Sequence, residues 1–336
     1  MTERSQQRLG DLGEEQLLAL IGPLLAAGAP ASPRVVVGPG DDTAVVATGA
    51  HTVATTDAMV RGLDWRDEWS TGRDVGHKTV AQNLADVAAM GAVPIGLLVT
   101  LAADPATPVA WALELAEGIG AAAGAAGCPV LGGDLSGAPA GVVMVSVTAL
   151  GDLQGRPAVL RSGARAGDVV AVCGSLGLSG AGLALLAQGR PEVDPEAVAV
   201  HRRPRPPLPA GPAAARAGAT ALIDLSDGLL RDADRVARAS GVRLALSRTS
   251  LSRYAARLTP ALGADGAWDC VLGGGEEHSL LGCFPGPEQA AAGPEQAGPP
   301  EGWVAIGRVE PAAGGEPGVT LDGEPMAPRG WDHFAG

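Results

Sequence analysis

Lysine is nearly absent from this chain of 336 residues, because Lys78 is the only one and arginine supplies the other basic charges. A Walker A loop needs Gly-Lys-Ser or Gly-Lys-Thr, and the sequence contains neither. The glycine-rich loop, strand lysine and His-Arg-Asp motif of protein kinases are missing as well. Any chemistry on nucleoside phosphates would therefore have to rely on metal ions and arginine.

Cysteine and aromatic residues are also scarce. The four cysteines, Cys128, Cys173, Cys270 and Cys283, are far apart, and none belongs to a Cys-x-x-Cys pair. This spacing supports neither a zinc site nor a disulfide framework, and it predicts buried free thiols. Only 3% of the residues are aromatic, so Trp331 near the C-terminus requires a core or a ligand to pack on.

Long hydrophobic runs and a basic surface are missing too. The longest apolar stretch, about residues 92–103, contains a proline and a glycine and is too short to span a bilayer. The first six residues are not followed by the apolar core of a signal peptide. A net charge of −13 argues against a nucleic-acid surface. We therefore expect a soluble cytoplasmic protein without membrane or nucleic-acid partners.

Aspartates at the ends of short apolar runs are the most informative residues present. They occur in Gly40-Asp41-Asp42, Thr55-Thr56-Asp57, Asn83-Leu84-Ala85-Asp86, Gly132-Gly133-Asp134 and Asp224-Leu225-Ser226-Asp227-Gly228. Four of the five groups follow a β-type stretch, which would place the acids in one cleft. Two such carboxylates in contact repel by about 4 kcal/mol at an effective dielectric constant of about 20. A hard divalent cation such as Mg²⁺ would hold them together, and this predicts metal-dependent phosphate chemistry.

The hydrophobic pattern predicts an irregular alternation of helices and strands. Helices are expected over residues 12–21, 74–90, 108–127, 181–188 and 228–239. Strands are expected over residues 34–37, 44–46, 51–55, 93–101, 142–150 and 168–173. A turn-rich segment over 151–167 separates two halves. The sequence therefore predicts an α/β (α+β) protein with domains at 1–150 and 151–336.

Several motifs have a structural interpretation beside the functional one. Asp224 and Asp227 could ligate neighbouring ions, whereas Asp227 or Ser226 could instead cap the helix that follows. Asp86 in its predicted helix is either a solvated surface acid or part of a polar strip. The glycines before Glu276 allow a ligand to approach closely or form a hairpin turn. The residues alone leave these alternatives open.

The order and spacing of these motifs resemble the thiamine-monophosphate kinase family. Its superfamily includes aminoimidazole ribonucleotide synthetase, selenophosphate synthetase and a hydrogenase-maturation protein. The resemblance runs nearly end to end and is carried by Gly40-Asp41-Asp42, Thr55-Thr56-Asp57, residues 78–92, Gly132-Gly133-Asp134, Arg161-Ser162-Gly163-Ala164, residues 223–229, Gly274-Gly275-Glu276 and Asp332-His333-Phe334. It implies a two-domain synthetase-like fold. In that fold an N-terminal ATP- and Mg²⁺-binding α/β domain forms a β-barrel with a second subunit, and a C-terminal α+β domain completes the active-site cleft.

The resemblance also implies the reaction and the residues that serve it. ATP would phosphorylate thiamine monophosphate to thiamine diphosphate by direct in-line transfer with several Mg²⁺ ions, in a homodimer and without a general base. The implied metal ligands are Asp42, Thr55, Thr56, Asp57, Asp86, Asp134, Asp224 and Asp227. The implied ATP contacts are Gly133, Asp134, Arg161 and Ser226. The implied contacts to thiamine monophosphate are Asp64, Glu276 and Trp331.

Three positions depart from the family pattern. Asp64 stands where the family commonly has a histidine, Leu135 where it has a threonine, and Glu277 where it has an aspartate. These departures keep a non-catalytic nucleotide- and metal-binding homologue open as an alternative. The enzymatic alternative is an ATP-dependent cyclase similar to aminoimidazole ribonucleotide synthetase. Selenophosphate synthesis would require a reactive cysteine near the N-terminus. The first cysteine here is Cys128, which argues against that reaction.

Overall fold

The computed structural model describes residues 7–28, 32–39, 43–287, 298–312 and 314–331, and its fold is α/β as predicted. The helices are α1 (Glu14–Ala26), α2 (Gly72–Ala89), α3 (Val109–Ala125), α4 (Leu178–Ala187), α5 (Pro195–Arg202), α6 (Ala210–Arg216), α7 (Leu229–Ser240) and α8 (Arg248–Gly273). The strands are β1 (Val35–Val37), β2 (Val45–Val46), β3 (Thr52–Val60), β4 (Val93–Ala103), β5 (Val130–Gly137), β6 (Val143–Asp152), β7 (Val169–Cys173), β8 (Ala221–Leu225), β9 (Val242–Leu246), β10 (Ser279–Phe284), β11 (Trp303–Pro311), β12 (Gly318–Leu321) and β13 (Glu324–Met326).

These elements form two compact units. The N-terminal unit contains the chain up to Val87 and residues 93–155, and the C-terminal unit contains residues 88–92 and the chain from Arg156 onward. Each unit contains one large sheet, and the N-terminal unit also contains the two-stranded sheet β1-β2.

A four-stranded sheet of order β3-β6-β4-β5 organises the N-terminal unit. All its pairs are antiparallel except β4 with β5, which is parallel. Helix α2 lies against β3, where the Thr79 hydroxyl is 2.9 Å from the sulfur of Met59. Helices α2 and α3 approach closely because Gly76 has no side chain. A Cβ atom at this position would collide with the carbonyl oxygen of Leu115. The side chains on the facing sides of strand β3 and helix α2 are therefore close to one another.

The opposite face of this sheet is more exposed. The register pairs Thr56 with Thr148, Thr148 with Leu98, and Ala58 with Ser146, and side chains opposite one another lie on the same face. Leu98 is 41% exposed there, and Thr56 and Ala58 are also exposed. A large apolar residue on an exposed sheet face is typical of an interaction surface.

A seven-stranded sheet of order β13-β12-β9-β11-β7-β10-β8 organises the C-terminal unit. Its pairs are antiparallel except β12 with β9. Strands β8 and β10 are buried along their whole length. Helix α7 packs an apolar stripe, which includes Leu229, Ala233 and Val236, into the core of this unit. Strand β8 thus leads from the core directly to the acids that follow it.

Comparison with the predicted elements confirms the five predicted helices and corrects two strands, whereas α5, α6 and α8 were not predicted. Strand β3 continues to Val60 and β5 to Gly137, so Asp57 and Asp134 lie within strands and not at strand ends as predicted. The reason is the long pairing of β3 with β6 and of β4 with β5, which outweighs the low strand propensity of aspartate. Helix α1 also continues through Pro23 to Ala26.

The four cysteines are free thiols, as predicted. Cys128, Cys173 and Cys283 are buried, and Cys270 is half-buried. Burial raises the pKa of the Cys128 and Cys283 thiols to about 12. Within the described residues, none of the helices has both the length and the apolar character needed to cross a bilayer. The cytoplasmic location stays a prediction from the sequence.

Candidate active site

Three predicted residues of the N-terminal unit lie together on β3 and α2. The hydroxyl of Thr55 donates a 2.6 Å hydrogen bond to Oδ2 of Asp86. The backbone N–H of Asp57 donates to Oδ1 of Asn83 at 3.1 Å. The strand therefore presents Thr55 and Asp57, which share one face because side chains alternate along a strand, to the polar side of α2.

Helix α2 holds Asp86 in a defined place. Asn83 is fully buried, and its amide nitrogen donates to the carbonyl oxygen of Thr79 at 2.8 Å. Asp86 follows about one turn later and is half-buried. Its contact with Thr55 decides between the alternatives that the sequence left open, because Asp86 belongs to the polar strip and is not a solvated surface acid.

Thr56 and Asp134 belong to the other face of the same sheet. The Thr56 hydroxyl donates to the carbonyl oxygen of Val147 at 3.1 Å and accepts from the Thr148 hydroxyl at 3.1 Å. Asp134 is exposed and accepts a 2.9 Å hydrogen bond from Ser136. Strands β3 and β5 are the two outer strands of the sheet, so Asp57 and Asp134 are separated by two intervening strands.

Two further predicted residues have simpler local descriptions. Gly133 lies against β4, where a Cβ atom would collide with the carbonyl oxygen of Val99, so only glycine fits this strand pairing. Asp64 accepts a 2.7 Å hydrogen bond from the backbone N–H of Val60 and thereby stabilises the turn after β3. Asp42 lies outside the described residues.

The C-terminal unit carries its predicted acids at the end of β8. Asp224 is 3% exposed, and Oδ2 of its carboxylate is 3.2 Å from Nδ1 of His278. Ser226 and Asp227 follow the strand and are half-buried. Asp227 accepts a 2.6 Å hydrogen bond from Nη2 of Arg235, and Nε of Arg231 is 3.8 Å from the same oxygen. Two arginines therefore compensate the charge of Asp227.

The helix that follows is capped by a residue that the sequence analysis missed. Asp232 is fully buried and accepts hydrogen bonds from the backbone N–H groups of Asp227 at 3.0 Å and Gly228 at 3.1 Å. Nη1 of Arg235 donates to it at 2.6 Å. Burial, with a smaller effect from the charge of Asp224, raises the pKa of Asp232 to about 7. The available signal was the Asp-x-x-Arg spacing on one helix.

Side-chain capping by Asp227 or Ser226, one of the sequence alternatives, is therefore wrong. The N-cap residue of α7 is Gly228, without a side-chain cap. Gly228 has a φ of 120°, which glycine adopts without strain and other residues rarely adopt. A Cβ atom there would also lie 2.8 Å from the backbone of Gly273. Because Asp232 accepts the free N–H groups from inside the helix, the side chain of Ser226 is not used for capping.

The glycine-rich segment before Glu276 connects a helix to a strand and is not a hairpin turn. Helix α8 ends at Gly273, and β10 begins at Ser279. The backbone N–H of Glu276 donates to the carbonyl oxygen of Ser226 at 2.7 Å. At Gly275 a Cβ atom would come within 2.5 Å of that same oxygen. The absence of a side chain at Gly275 therefore brings Glu276 to the end of β8.

Trp331 and Arg161 lie at the surface of the C-terminal unit. The backbone N–H of Trp331 donates to the carbonyl oxygen of Asp227 at 3.0 Å, while its side chain is 49% exposed. Arg161 is exposed, and its carbonyl oxygen accepts a 2.9 Å hydrogen bond from Ser240 at the end of α7. Trp331 is therefore anchored beside Asp227 without being part of the core.

The donor atoms in both units suit a hard cation. The predicted ligands offer carboxylate and hydroxyl oxygens, which Mg²⁺ prefers. Asp57, Asp86 and Asp134 belong to the N-terminal unit, and Asp224 and Asp227 belong to the C-terminal unit. In the part of the chain that the structure describes, no three Asp, Glu, His or Cys side chains form a cluster that could hold a metal ion. The chemistry of the donors fits Mg²⁺.

Comparisons with known proteins agree in one family. The family models described as AIR synthase related protein, N-terminal domain, and AIR synthase related protein, C-terminal domain, match residues 40–153 and 165–318. Thiamine-monophosphate kinase from Mycobacterium tuberculosis is 45% identical over 304 residues, which cover 89% of this chain and 86% of that protein.

Two solved structures have the same fold over nearly the whole chain. The crystal structure of thiamine-monophosphate kinase from Stenotrophomonas maltophilia K279a has a TM-score of 0.75 at 30% identity and covers 94% of this chain and 98% of its own. The structure of AaThiL complexed with AMPPCP and TMP has a TM-score of 0.74 at 32% identity and covers 98% and 99%. Sequence and fold comparisons therefore lead to the same group of proteins.

Proposed function

Since the chain belongs to the thiamine-monophosphate kinase family of AIR synthase related proteins, we propose that it transfers a phosphoryl group from ATP to thiamine monophosphate. The products are thiamine diphosphate and ADP. The observation that carries this proposal is the Thr55–Asp86 contact of 2.6 Å between β3 and α2. This contact brings carboxylate and hydroxyl oxygens together, which suits a metal ion that binds phosphate. The chain needs such an ion because it has no P-loop lysine to bind the phosphates of ATP.

The reaction requires no general base. The nucleophile is an oxygen of the thiamine phosphate, and the second pKa of a phosphate monoester is about 6, so this oxygen is mostly ionised at pH 7. The difficulty is that two anions must meet in line. Mg²⁺, when bound, supplies positive charge that reduces this repulsion. The residues that would hold such ions are Asp42, Thr55, Thr56, Asp57, Asp86, Asp134, Asp224 and Asp227. Thr56 and Asp134 lie on the opposite sheet face from Asp57, so they would serve a different ion.

The proposed ATP contacts are Gly133, Asp134, Arg161 and Ser226. Gly133 brings backbone close to the nucleotide because a side chain is excluded there by Val99. Arg161, which is exposed, contributes a permanent positive charge and a planar set of N–H donors to the phosphates. Ser226 directs its hydroxyl to the nucleotide, with capping of α7 left to Asp232.

The thiamine side of the site is carried by Glu276, Trp331 and Asp64. The thiazolium ring of thiamine is a cation, and an aromatic face attracts a cation by roughly 0.5–2 kcal/mol. Trp331 has half of its surface available for this contact. The carboxylate of Glu276 adds a negative charge, and its side chain is 33% exposed. Asp64 replaces the histidine that the family commonly has and is the weakest of the three contacts.

The proposal includes a homodimer with an N-terminal domain at 1–150 and a C-terminal domain at 151–336. The exposed face of the four-stranded sheet supports dimerisation. Apart from the carboxylate of Asp134 on β5, its paired rows contain alanine, threonine, serine and Leu98, which are small or apolar residues suited to packing against a second copy. Closing such a sheet into a barrel with a second subunit would also pair its outer strands.

A Leu98→Glu substitution tests this dimer. We expect the wild-type chain to have a mass in solution of about 67 kDa, twice its 33.3 kDa. The introduced carboxylate would place a charge in the centre of the interface, and the mass should fall to that of one chain in light scattering coupled to gel filtration. Leu18→Glu is the matched control, since Leu18 is 46% exposed on α1 and its variant should stay dimeric. A monomeric wild-type chain would refute the proposal.

The activity itself is tested by incubating the protein with ATP, MgCl₂ and thiamine monophosphate. We expect equimolar thiamine diphosphate and ADP, measured by chromatography, and complete loss of product after chelation with EDTA. ADP release without thiamine diphosphate would favour the ATP-dependent cyclase alternative. Binding of ATP without turnover of any kind would favour the non-catalytic homologue.

A further inference from the structure

A buried carboxylate fixes the loop that carries Glu276. Glu277 is 3% exposed and accepts a 2.5 Å hydrogen bond from the Ser175 hydroxyl and a 3.1 Å hydrogen bond from the backbone N–H of Ser179. The backbone N–H groups of Gly177 and Leu178 also hydrogen-bond to it. Glu277 thus accepts the free N–H groups at the start of α4. Burial raises the pKa of its carboxyl although these hydrogen bonds oppose the shift.

The first turn of α4 then reaches His201 on α5. The hydroxyl of Ser179 is 3.3 Å from Nδ1 of His201, and both side chains are buried. Helices α4 and α5 approach closely because Gly182 has no side chain. A Cβ atom there would collide with the carbonyl oxygen of Ala197 and lie 2.8 Å from Cβ of His201. His201 therefore has a position set by close packing as well as by Ser179.

The same ring nitrogen of His201 reaches Glu276. Nδ1 of His201 is 3.4 Å from Oε2 of Glu276. An ionised carboxylate only accepts hydrogen bonds, so this contact is attractive when Nδ1 carries the proton. The backbone of Glu276 is already held, because its N–H is bonded to Ser226 and its φ is 59°. His201 is thus a buried group in contact with the Glu276 side chain and can fix its orientation.

We propose that His201 is a positioning residue that orients the Glu276 carboxylate and so determines the affinity for thiamine monophosphate. The inference rests on the proposed function, in which Glu276 contacts that substrate. Ser179 and Glu277 serve by holding His201 and the 274–278 loop in place. Since none of these groups contacts ATP in the proposal, the effect should be confined to one of the two substrates.

His201→Ala tests the proposal by steady-state kinetics with each substrate varied in turn. We expect KM for thiamine monophosphate to rise about tenfold, because the contact that orients the charged Glu276 carboxylate is lost, while KM for ATP and kcat stay within about twofold. His201→Asn should restore most of the affinity, since the asparagine amide occupies the place of Nδ1. His201→Gln should restore less, because its amide occupies the place of Nε2.

A coupling experiment separates positioning from general damage. In a Glu276→Ala background, His201→Ala should cause no further rise in KM for thiamine monophosphate, since the group that it orients is gone. Calorimetric dissociation constants for thiamine monophosphate should follow the same pattern without turnover. Additive effects, an equal rise in both KM values, or a lower melting temperature with unchanged KM would each overturn the proposal.

The failure of this inference and the failure of the proposed function give different results. A wild-type chain that forms thiamine diphosphate, with His201→Ala behaving like wild type, refutes the inference alone. A wild-type chain that binds thiamine monophosphate without turning it over refutes the kinase activity, and the calorimetric series still decides the role of His201. A wild-type chain that does not bind thiamine monophosphate refutes both.

Discussion

An Asp86→Asn variant is expected to form thiamine diphosphate more than about 100-fold more slowly than the wild-type chain. Loss of a group that only supports a metal ligand typically costs about 10–100-fold, so loss of a carboxylate ligand should exceed that range. Asparagine has nearly the same shape, and it can still accept the hydrogen bond from Thr55 that Asp86 accepts at 2.6 Å. The change therefore removes charge while leaving the local packing intact. Initial rates at saturating ATP and thiamine monophosphate measure the effect.

Two controls give this result its meaning. The melting temperature of Asp86→Asn should stay close to that of the wild-type chain, because the residue is only half-buried. Glu117→Gln makes the same change of charge on the neighbouring helix α3, where Glu117 pairs with Arg73 at the surface. An exposed pair of this kind contributes about 0–1 kcal/mol, and the Glu117→Gln rate should equal that of wild type. An Asp86→Asn enzyme with wild-type kcat would remove Asp86 from the metal ligands.

Start and stop signals together with spaced apolar residues made α2 predictable from the sequence, whereas the extent of the strands was not predictable. Val75, Val80, Leu84 and Val87 recur at helical spacing, and the predicted range 74–90 agrees with Gly72–Ala89. The predicted strand over residues 51–55 stopped at Thr55, short of Asp57. Strand β3 continues to Val60 because β6 supplies hydrogen-bonding partners. Such pairing is decided by residues far away in the sequence.

The candidate site divides in the same way. The resemblance to a known family made Asp86 and Glu276 candidate site residues, and their roles stay predictions. The contacts around them were not predictable, because the partners come from distant segments: Ser179 and Glu277 are 98 residues apart, and Thr55 and Asp86 are 31 apart. A sequence motif therefore indicates candidate side chains, and the hydrogen bonds around them become visible only in the fold.

Among those buried groups, Asp232 should have the largest effect on stability. An Asp232→Ala variant is expected to lose about 3–5 kcal/mol in the free energy of unfolding, because two backbone N–H groups and Nη1 of Arg235 lose the buried acceptor that they share. Asp232 has no exposed surface, so water cannot replace it without rearrangement. Asp232→Asn should lose less, since its carbonyl oxygen still accepts from Asp227 or Gly228. Urea denaturation followed by circular dichroism measures the difference.

Glu196→Ala is the control that isolates burial as the cause. Arg257 donates to Glu196 at 2.6 Å, the same distance at which Arg235 donates to Asp232, but the Glu196 side chain is 67% exposed. If distance determined the contribution, the two alanine variants would be destabilised equally. Because an exposed pair is screened by water and contributes about 0–1 kcal/mol, Glu196→Ala should unfold almost like the wild-type chain. Equal losses in the two variants would show that Asp232 acts as an ordinary ion pair and not as the buried acceptor that organises the start of α7.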